Sequence, residues 1–292
     1  MPRLPEYLKR PLIDTEKTKT VRKLLKVKML NTVCEGARCP NKSECYSKNT
    51  ATFLIMGSIC TRNCRYCNIK NEKPEPLDKN EPKHIAEAVK ELELKYAVIT
   101  SVTRDDLPYG GAEHFKNCIN EIRKISDAKI EILTPDFRMK NQKINDENVP
   151  ADIIIEANPD VFNHNIETVK SLFNTVRPQG NYELSLKLLK YIKTHSDIVT
   201  KSGLMVGLGE SIDDIKSTLK DLKEAGVDIV TIGQYIQPSK LHLPVSKYYS
   251  LAEYEDLKQL VKDAGFKNFQ VGPLVRSSYQ AMQSWQNVCE NK

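Results

Sequence analysis

Residues 52–67, TFLIMGSICTRNCRYC, join a short apolar, strand-like run to three cysteines. The run Thr52–Ser58 is the first of several such runs, and helix-patterned segments separate each from the next. Strands that alternate with helices at this spacing indicate parallel βαβ units. In parallel barrels the chemistry lies at the C-terminal ends of the strands. The cysteines directly after this first strand are therefore the first residues to consider as a site.

The alternation extends over most of the chain. The predicted strands are Thr52–Ser58, Tyr96–Val102, Lys129–Thr134, Asp152–Asn158, Lys201–Leu208 and Val227–Tyr235. The predicted helices are Glu81–Leu92, Gly111–Ile125, Ile166–Phe173, Tyr182–Lys193, Ser211–Ala225 and Leu251–Ala264. We predict an α/β fold, a partial (β/α)6 TIM-type barrel with an N-terminal and a C-terminal extension. A doubly wound sheet is the competing fold, but no glycine fingerprint follows the first strand.

The composition is that of an ordinary globular protein. The chain has 292 residues, of which 40% are hydrophobic and 28% charged, which is enough for one sizeable core. No run approaches the roughly 18 apolar residues of a membrane helix. The N-terminus lacks a basic segment followed by an apolar one, as a secretory signal would have. We therefore expect a cytoplasmic protein that does not bind a membrane.

The net charge of +6 is concentrated near the N-terminus. Residues 1–30 carry nine Lys and Arg against three acidic residues. Such a basic arm can attract an acidic partner at long range, although a solvated, partly helical segment explains it equally well. Few aromatic residues are interleaved with these cations, so binding to a nucleic acid is not expected.

Six of the eight cysteines fall within Cys34–Cys67, and Cys118 and Cys289 stand apart. Disulfide-rich domains are short and secreted, whereas clustered thiols in a long chain without an export signal favour a metal site. Cys60, Cys64 and Cys67 form a C-x3-C-x2-C motif, which we call the first triad. Soft thiolates select iron–sulfur clusters or zinc, and structural zinc normally takes four protein ligands. Three ligands without a nearby His favour a cubane cluster with one open iron, and zinc remains the alternative.

Upstream lies a second triad, Cys34, Cys39 and Cys45, within CEGARCPNKSEC. One cubane cluster cannot take six thiolates, so two triads indicate two clusters. Residues 32–69, together with GPLVRSSY at 272–279, resemble the lipoyl synthases of the radical S-adenosylmethionine superfamily. Further segments that resemble this family are ITSVTRDDL at 99–107, HNIET at 164–168, GLMVGLGE at 203–210 and GQYIQPS at 233–239.

The resemblance implies a role for each motif. The first triad would hold a [4Fe–4S] cluster whose open iron binds S-adenosylmethionine. The second triad, with Ser278 as fourth ligand, would hold an auxiliary [4Fe–4S] cluster that supplies sulfur. A serine oxygen is an unusual ligand for iron that thiolates normally hold, and it suits a cluster that must be dismantled. The further residues implied to contact S-adenosylmethionine are Tyr66, Ser101, Asn165, Glu167 and Arg177.

The implied reaction inserts sulfur at C6 and C8 of an octanoyl group bound to a lysine of a carrier protein. The implied carriers are the E2 subunits of 2-oxoacid dehydrogenases and the glycine cleavage H protein, and the implied electron donor is a ferredoxin or flavodoxin. The expected organisation is an auxiliary-cluster segment at 1–50, a barrel at 51–240 and a C-terminal extension at 241–292 that closes over the auxiliary cluster. Two alternatives stay open, a methylthiotransferase acting on transfer RNA and a zinc-stabilised binding module.

Overall fold

A computed structural model describes residues 4–9, 15–37, 39–47, 51–138 and 148–290 of the chain. Strands and helices alternate along these residues. The described strands are β1 (Asn31–Thr32), β2 (Thr52–Ile55), β3 (Ile59–Cys60), β4 (Lys70–Asn71), β5 (Tyr96–Ser101), β6 (Lys129–Leu133), β7 (Val161–Asn163), β8 (Val199–Val206), β9 (Ile229–Gln234) and β10 (Asn268–Gly272). The described helices are α1 (Glu16–Val27), α2 (Val33–Gly36), α3 (Lys42–Ser47), α4 (Glu81–Glu91), α5 (Ala112–Ile125), α6 (Val149–Ala157), α7 (Phe173–Val176), α8 (Tyr182–His195), α9 (Ile212–Glu224), α10 (Leu251–Asp263) and α11 (Ala281–Glu290).

The described residues divide into two compact units. The N-terminal unit takes in Arg10–Arg62 and Asn68–Asp160, and the C-terminal unit takes in Met1–Lys9, Asn63–Cys67 and Val161–Lys292. Residues 1–3 and 10–14 of the basic arm lie outside the described residues. Among the described helices, none is both long and apolar enough to cross a membrane.

The N-terminal unit is built on strands β2, β5 and β6. β2 pairs in parallel with β5, β5 pairs in parallel with β6, and the short β1 is antiparallel to β2. All four residues of β2 are buried, as expected for a parallel strand covered on both faces. Helix α5 contacts both α4 and α6, and its buried residues Phe115, Ile119 and Ile122 form one apolar stripe.

The C-terminal unit contains the parallel strands β7, β8, β9 and β10, paired in that order. Helix α9 begins with a capping box in which Ser211 and Asp214 exchange hydrogen bonds with each other's backbone. At Gly233 in β9 a Cβ atom would lie 2.1 Å from the carbonyl oxygen of Val275. Only glycine lets the C-terminal segment approach the strand this closely.

Most predicted elements are confirmed, but the predicted strand Asp152–Asn158 is wrong. These residues belong to helix α6, which has Pro150 in its first turn, a position where proline's missing N–H costs nothing. Ile153 and Ile154 are both buried, so the continuous isoleucine run marks a helix buried on several sides. Asn158 ends the helix in the left-handed conformation.

The predicted helix Ile166–Phe173 is also wrong. Glu167 has a φ of 70°, which a right-handed helix cannot accommodate. The segment instead contains a short 3-10 helix at Lys170–Leu172, and α7 begins at Phe173. Sequence patterns also missed β7, which has three residues, and β10. The predicted α/β class is confirmed, with parallel strands and intervening helices in each unit.

Candidate active site

Cys60 of the first triad ends β3 in the N-terminal unit. Its Sγ atom accepts hydrogen bonds from the backbone N–H groups of Arg62, at 3.4 Å, and Thr103, at 3.3 Å. The Cys60 carbonyl oxygen accepts a further hydrogen bond from Asn71 at 3.0 Å. The thiol is therefore half-buried and already oriented by the surrounding backbone.

Cys64 and Cys67 lie in the short segment that belongs to the C-terminal unit. The N–H group of Cys67 donates to the carbonyl oxygen of Cys64 at 3.0 Å, which folds the segment into a tight turn. The ring of His242 donates through Nε2 to the carbonyl oxygen of Cys67 at 2.9 Å. The backbone N–H group of Arg65 donates to the carbonyl oxygen of Val176 at 3.0 Å. These bonds hold both cysteines against strand-connecting segments of the same unit.

The second triad lies on and between α2 and α3 of the N-terminal unit. The N–H group of Cys39 donates to the carbonyl oxygen of Cys34 at 3.1 Å. Burial is the main cause that raises the pKa of the Cys34 thiol to about 12, and the nearby Cys39, Cys45 and Glu35 contribute to the same shift. The other two thiols of the triad are thus close enough to affect the ionisation of Cys34, as the donor set of one cluster requires.

The donor chemistry of both triads fits iron–sulfur clusters. All eight cysteines are free, so no disulfide competes for these thiols. Among the described residues, no three His, Cys, Asp or Glu side chains converge on a point where a single metal ion would sit. A cubane cluster requires no such convergence, because each of its protein ligands binds a different iron atom.

The two isolated cysteines have separate environments. Cys118 is fully buried within α5, where it packs as a small core residue. Cys289 is exposed near the end of α11. The segment around Cys289 is therefore helical up to Glu290.

Five polar side chains of the C-terminal unit form a network, which we call the polar cluster: Tyr66, Asn165, Glu167, Arg177 and Ser277. Ser277 donates to Oδ1 of Asn165 at 2.7 Å, and Nδ2 of Asn165 donates to Oε1 of Glu167 at 3.2 Å. Arg177 donates to the Asn165 carbonyl oxygen at 3.1 Å. Tyr66 donates a hydrogen bond to Glu167. The structure thus brings together four of the five residues expected to contact S-adenosylmethionine.

Glu167 occupies the centre of the polar cluster in a strained conformation. Its φ of 70° is uncommon for a residue with a side chain. Two backbone hydrogen bonds to the neighbouring strand hold it there, from its own N–H to the Gly203 carbonyl and from the Met205 N–H to its carbonyl, both at 2.9 Å. Burial raises the pKa of the Glu167 carboxyl, against the opposing effect of the Arg177 guanidinium. Retained strain of this kind is typical of functional sites.

Gly203 provides the space for this network. A Cβ atom at Gly203 would lie 3.0 Å from Oδ1 of Asn165 and 3.1 Å from Oγ of Ser277. Sequence reasoning assigned no role to Ser277 or Gly203, although both stand inside the family-like segments. The bond between Ser277 and Asn165 joins residues 112 positions apart, which no local sequence pattern reveals.

Ser101 and Ser278 are the two predicted site residues outside this network. The Ser101 hydroxyl, at the end of β5 in the N-terminal unit, is buried and has no hydrogen-bond partner among the described residues. Such an orphaned buried hydroxyl fits a ligand contact. Ser278 lies in the turn before α11, which begins at Ala281. It therefore does not occupy the position that caps this helix.

The polar cluster suits a zwitterionic ligand with hydroxyl groups. S-adenosylmethionine carries an amine, a carboxylate, a ribose diol and a sulfonium. The Glu167 carboxylate and the Arg177 guanidinium can pair with groups of opposite charge, and the Asn165 amide can both donate and accept. The residues present therefore fit this cofactor chemically.

Comparison with known proteins identifies the family of the chain. Residues 54–222 match the family model of the radical SAM superfamily. A lipoyl synthase of Caldicellulosiruptor saccharolyticus is 50% identical over 279 residues, which cover 95% of this chain and 95% of that protein. A lipoyl synthase of Ruthia magnifica is 48% identical over 279 residues, covering 95% of this chain and 87% of that protein.

Among solved structures, methylornithine synthase superposes with a TM-score of 0.59 at 15% identity, covering 96% of this chain and 81% of that one. At this identity the likeness concerns the fold alone, and it supports the α/β class predicted from the sequence. The sequence left three functions open: sulfur insertion into an octanoyl group, methylthiolation of transfer RNA and zinc-stabilised binding. The relatives support the first of these.

Proposed function

The chain belongs to the lipoyl synthase family of the radical SAM superfamily, and from this premise we propose which of its residues carry out the reaction. The enzyme inserts two sulfur atoms, at C6 and C8, into a protein-bound octanoyl-lysine to give lipoyl-lysine. It uses two [4Fe–4S] clusters and S-adenosylmethionine. The observation that carries the proposal is the complete set of both cysteine triads and Ser278 in a chain 50% identical to a lipoyl synthase.

The bound cofactors supply hydrogen-atom abstraction and sulfur, neither of which a side chain of this protein can offer. The carbons C6 and C8 of an octanoyl chain carry no acidic proton and no leaving group, so acid–base catalysis cannot functionalise them. The protein contributes binding and alignment.

Cys60, Cys64 and Cys67 would ligate the cluster that binds S-adenosylmethionine. The hydrogen bonds to the sulfur of Cys60 and to the carbonyl oxygen of Cys67 support this assignment, because they orient the ligands before the cluster arrives. The motif offers three thiolates, so one iron of that cluster would be left for S-adenosylmethionine.

The polar cluster would bind S-adenosylmethionine. The Glu167 carboxylate and the Asn165 amide would accept hydrogen bonds from it, and Arg177 would hold Asn165 in place. The ring of Tyr66, beside Cys67 in the sequence, would contact the adenine. Ser101 would add its unpartnered hydroxyl.

Cys34, Cys39, Cys45 and Ser278 would ligate the auxiliary cluster. Ser278 would supply an oxygen ligand, which is harder than a thiolate and unusual for iron in an iron–sulfur cluster. The proposed organisation places the second triad in a segment at 1–50, the radical SAM core at 51–240 and Ser278 in an extension at 241–292.

The substrate is an octanoylated lipoyl carrier protein. We propose the E2 subunits of 2-oxoacid dehydrogenases and the glycine cleavage H protein as carriers, and a ferredoxin or flavodoxin as electron donor. The resemblance to lipoyl synthases supports the choice of these carriers and donors, and a cytoplasmic location belongs to the same proposal.

The test is an anaerobic reconstitution followed by product analysis. The wild type should hold about eight irons per chain, the content of two [4Fe–4S] clusters. With dithionite, S-adenosylmethionine and an octanoyl-lysine peptide, it should release 5′-deoxyadenosine and add two sulfurs to the peptide, as seen by mass spectrometry.

Two variants separate the roles of the triads. Cys34→Ala should retain formation of 5′-deoxyadenosine and lose sulfur insertion, whereas Cys60→Ala should lose both. Full sulfur insertion by Cys34→Ala would refute the proposed sulfur source.

A further inference from the structure

A buried ion-pair network holds the loop of the first triad. Arg62, two residues after Cys60, is only 3% exposed. Its guanidinium donates four hydrogen bonds to two carboxylates. Nε and Nη2 bind Asp105 at 2.8 and 2.7 Å, and Nη1 and Nη2 bind Asp136 at 2.8 and 2.6 Å. We call these three residues the arginine clamp.

The arginine clamp connects three segments of the N-terminal unit. Asp105 follows β5, Asp136 follows β6, and Arg62 follows β3. The Asp136 side chain is fully buried, and the Asp105 side chain is 12% exposed. Burying three charges is costly unless their hydrogen bonds are nearly all made, and the planar guanidinium meets both carboxylates in bidentate geometry. The clamp therefore fixes the loop rigidly.

The arginine clamp also includes or adjoins in sequence the two residues whose backbone N–H groups donate to the sulfur of Cys60. One donor is the backbone of Arg62 itself. The other is Thr103, two residues before Asp105. Thr61 ties the two segments together, because its hydroxyl donates to the Thr103 carbonyl at 3.0 Å and accepts from the Asp105 N–H at 3.1 Å. Moving Arg62 or Asp105 would therefore displace both donors.

Hydrogen bonds to a cluster's sulfurs help to set its reduction potential, as does nearby charge. An N–H donor stabilises the reduced, more negative form of a cluster and so raises the potential. The clamp itself carries one positive and two negative charges. Loss of the guanidinium would remove the fixed donor geometry and leave two carboxylates without their cation.

We propose that Arg62, through Asp105 and Asp136, is a positioning residue that fixes the N–H donors to Cys60 and thereby sets the reduction potential of the cluster on the first triad. The inference rests on the proposed function, because it takes Cys60 as a cluster ligand. Arg62 touches neither cofactor nor substrate in this role. It acts by holding the backbone around the sulfur.

The experiment measures the potential in a protein with one cluster. A parent lacking the second triad, Cys34→Ala/Cys39→Ala/Cys45→Ala, removes the signal of the auxiliary cluster. Into it we would introduce Arg62→Lys, Arg62→Gln or Asp105→Asn. Redox titration followed by electron paramagnetic resonance gives the midpoint potential, and iron analysis gives the cluster content. The control is Lys28→Met, because Lys28 also lies between two carboxylates, Glu87 at 2.9 Å and Glu91 at 2.6 Å, but stands 32 positions before Cys60.

Arg62→Lys is the decisive variant. Lysine keeps the positive charge but cannot hold two carboxylates in bidentate geometry. We expect its cluster to be reduced at a more negative potential, and its cleavage of S-adenosylmethionine to slow by about 10- to 100-fold, as is typical when the outer-shell support of a metal ligand is lost. Lys28→Met should match the parent in both.

The outcomes separate this inference from the proposed function. If the parent binds its cluster and neither Arg62→Lys nor Arg62→Gln changes the midpoint potential of that cluster, the inference is overturned. The proposed function would then stay intact. A parent that binds no cluster would overturn both. If Arg62→Gln does not fold, Arg62→Lys and Asp105→Asn decide the question.

Discussion

Ser277 and Ser278 are neighbours in the sequence but have different surroundings. The Ser277 hydroxyl donates to Asn165 of the polar cluster at 2.7 Å, whereas Ser278 lies in the following turn and is the proposed ligand of the auxiliary cluster. Ser277→Ala should weaken binding of S-adenosylmethionine by about 3- to 10-fold, since a hydrogen bond contributes about 0.5–1.5 kcal/mol. Ser278→Ala should preserve that affinity and lose sulfur insertion.

Equilibrium dialysis of S-adenosylmethionine and mass spectrometry of the peptide product would measure the two effects. Each serine variant is the control for the other, because they differ by one position. The same phenotype in both variants would contradict the separate roles.

Glu167 combines backbone strain, burial and a carboxylate in one residue. Glu167→Gln keeps the side chain's size and removes its charge. We expect at least a tenfold rise in the Kd for S-adenosylmethionine, because hydrogen bonds to charged groups contribute about 1.5–3 kcal/mol. Glu183→Gln is the matched control, an exposed glutamate of the same unit that pairs with Lys170 at 2.9 Å. Equal affinities of Glu167→Gln and wild type would contradict a role in cofactor binding.

At the scale of single elements, the start of helix α10 should contribute to folding stability in a way that depends on pH. Ser250 and Glu253 form a capping box at its start, and a hydrogen bond from Lys247 is the main cause that lowers the pKa of Glu253 from 4.5 to about 2. A lowered carboxyl pKa gives stability that is present above the unfolded value and lost as the pH falls through the folded value. Glu253→Gln should therefore be less stable than wild type at pH 7, by less than about 1 kcal/mol because the pair is exposed.

The difference between Glu253→Gln and wild type should shrink between about pH 4.5 and pH 2, the limits set by the two pKa values. Chemical denaturation of the cluster-free protein at several pH values would measure it. A difference independent of pH would show that the charge of Glu253 contributes nothing. Ser250→Ala, which removes the other half of the capping box, should cost about 1 kcal/mol at pH 7.

Sequence patterns located elements well where one periodicity dominated. Helices α4, α5, α8, α9 and α10 show an amphipathic spacing and lie where they were predicted. The run Ile153-Ile154-Ile155 has no such spacing, and burial on several sides of α6 made it resemble a strand. In the next segment, Glu167 adopts a left-handed conformation held by contacts with β8. No local pattern could predict a conformation that distant residues impose.

The same distinction applies to the site. Cysteine spacing is a local signal, and it made both triads visible in the sequence. The bond between Ser277 and Asn165, and the clamp of Arg62 with Asp105 and Asp136, join residues between 43 and 112 positions apart. Such contacts depend on where parallel strands end, so they became visible only in the folded chain.

At the scale of the whole molecule, cofactor binding should be measurable as stability. A ligand that binds only the folded state stabilises it by about 2.7 kcal/mol at 100 times its Kd. For a chain of 292 residues this corresponds to a rise in Tm of about 5 °C. We expect S-adenosylmethionine to produce this rise in the cluster-loaded wild type under anaerobic conditions.

Two variants assign the rise in Tm to one triad. If an open iron of the cluster proposed for the first triad completes the cofactor site, Cys60→Ala should lose most of the rise even though the polar cluster is intact. Cys34→Ala should retain it, because the cluster proposed for the second triad would supply sulfur rather than bind S-adenosylmethionine. An undiminished rise in Cys60→Ala would mean that the polar cluster binds the cofactor without iron. The charged side chains around Glu167 would then account for the affinity for S-adenosylmethionine. The cluster proposed for the first triad would serve only to cleave the bound cofactor.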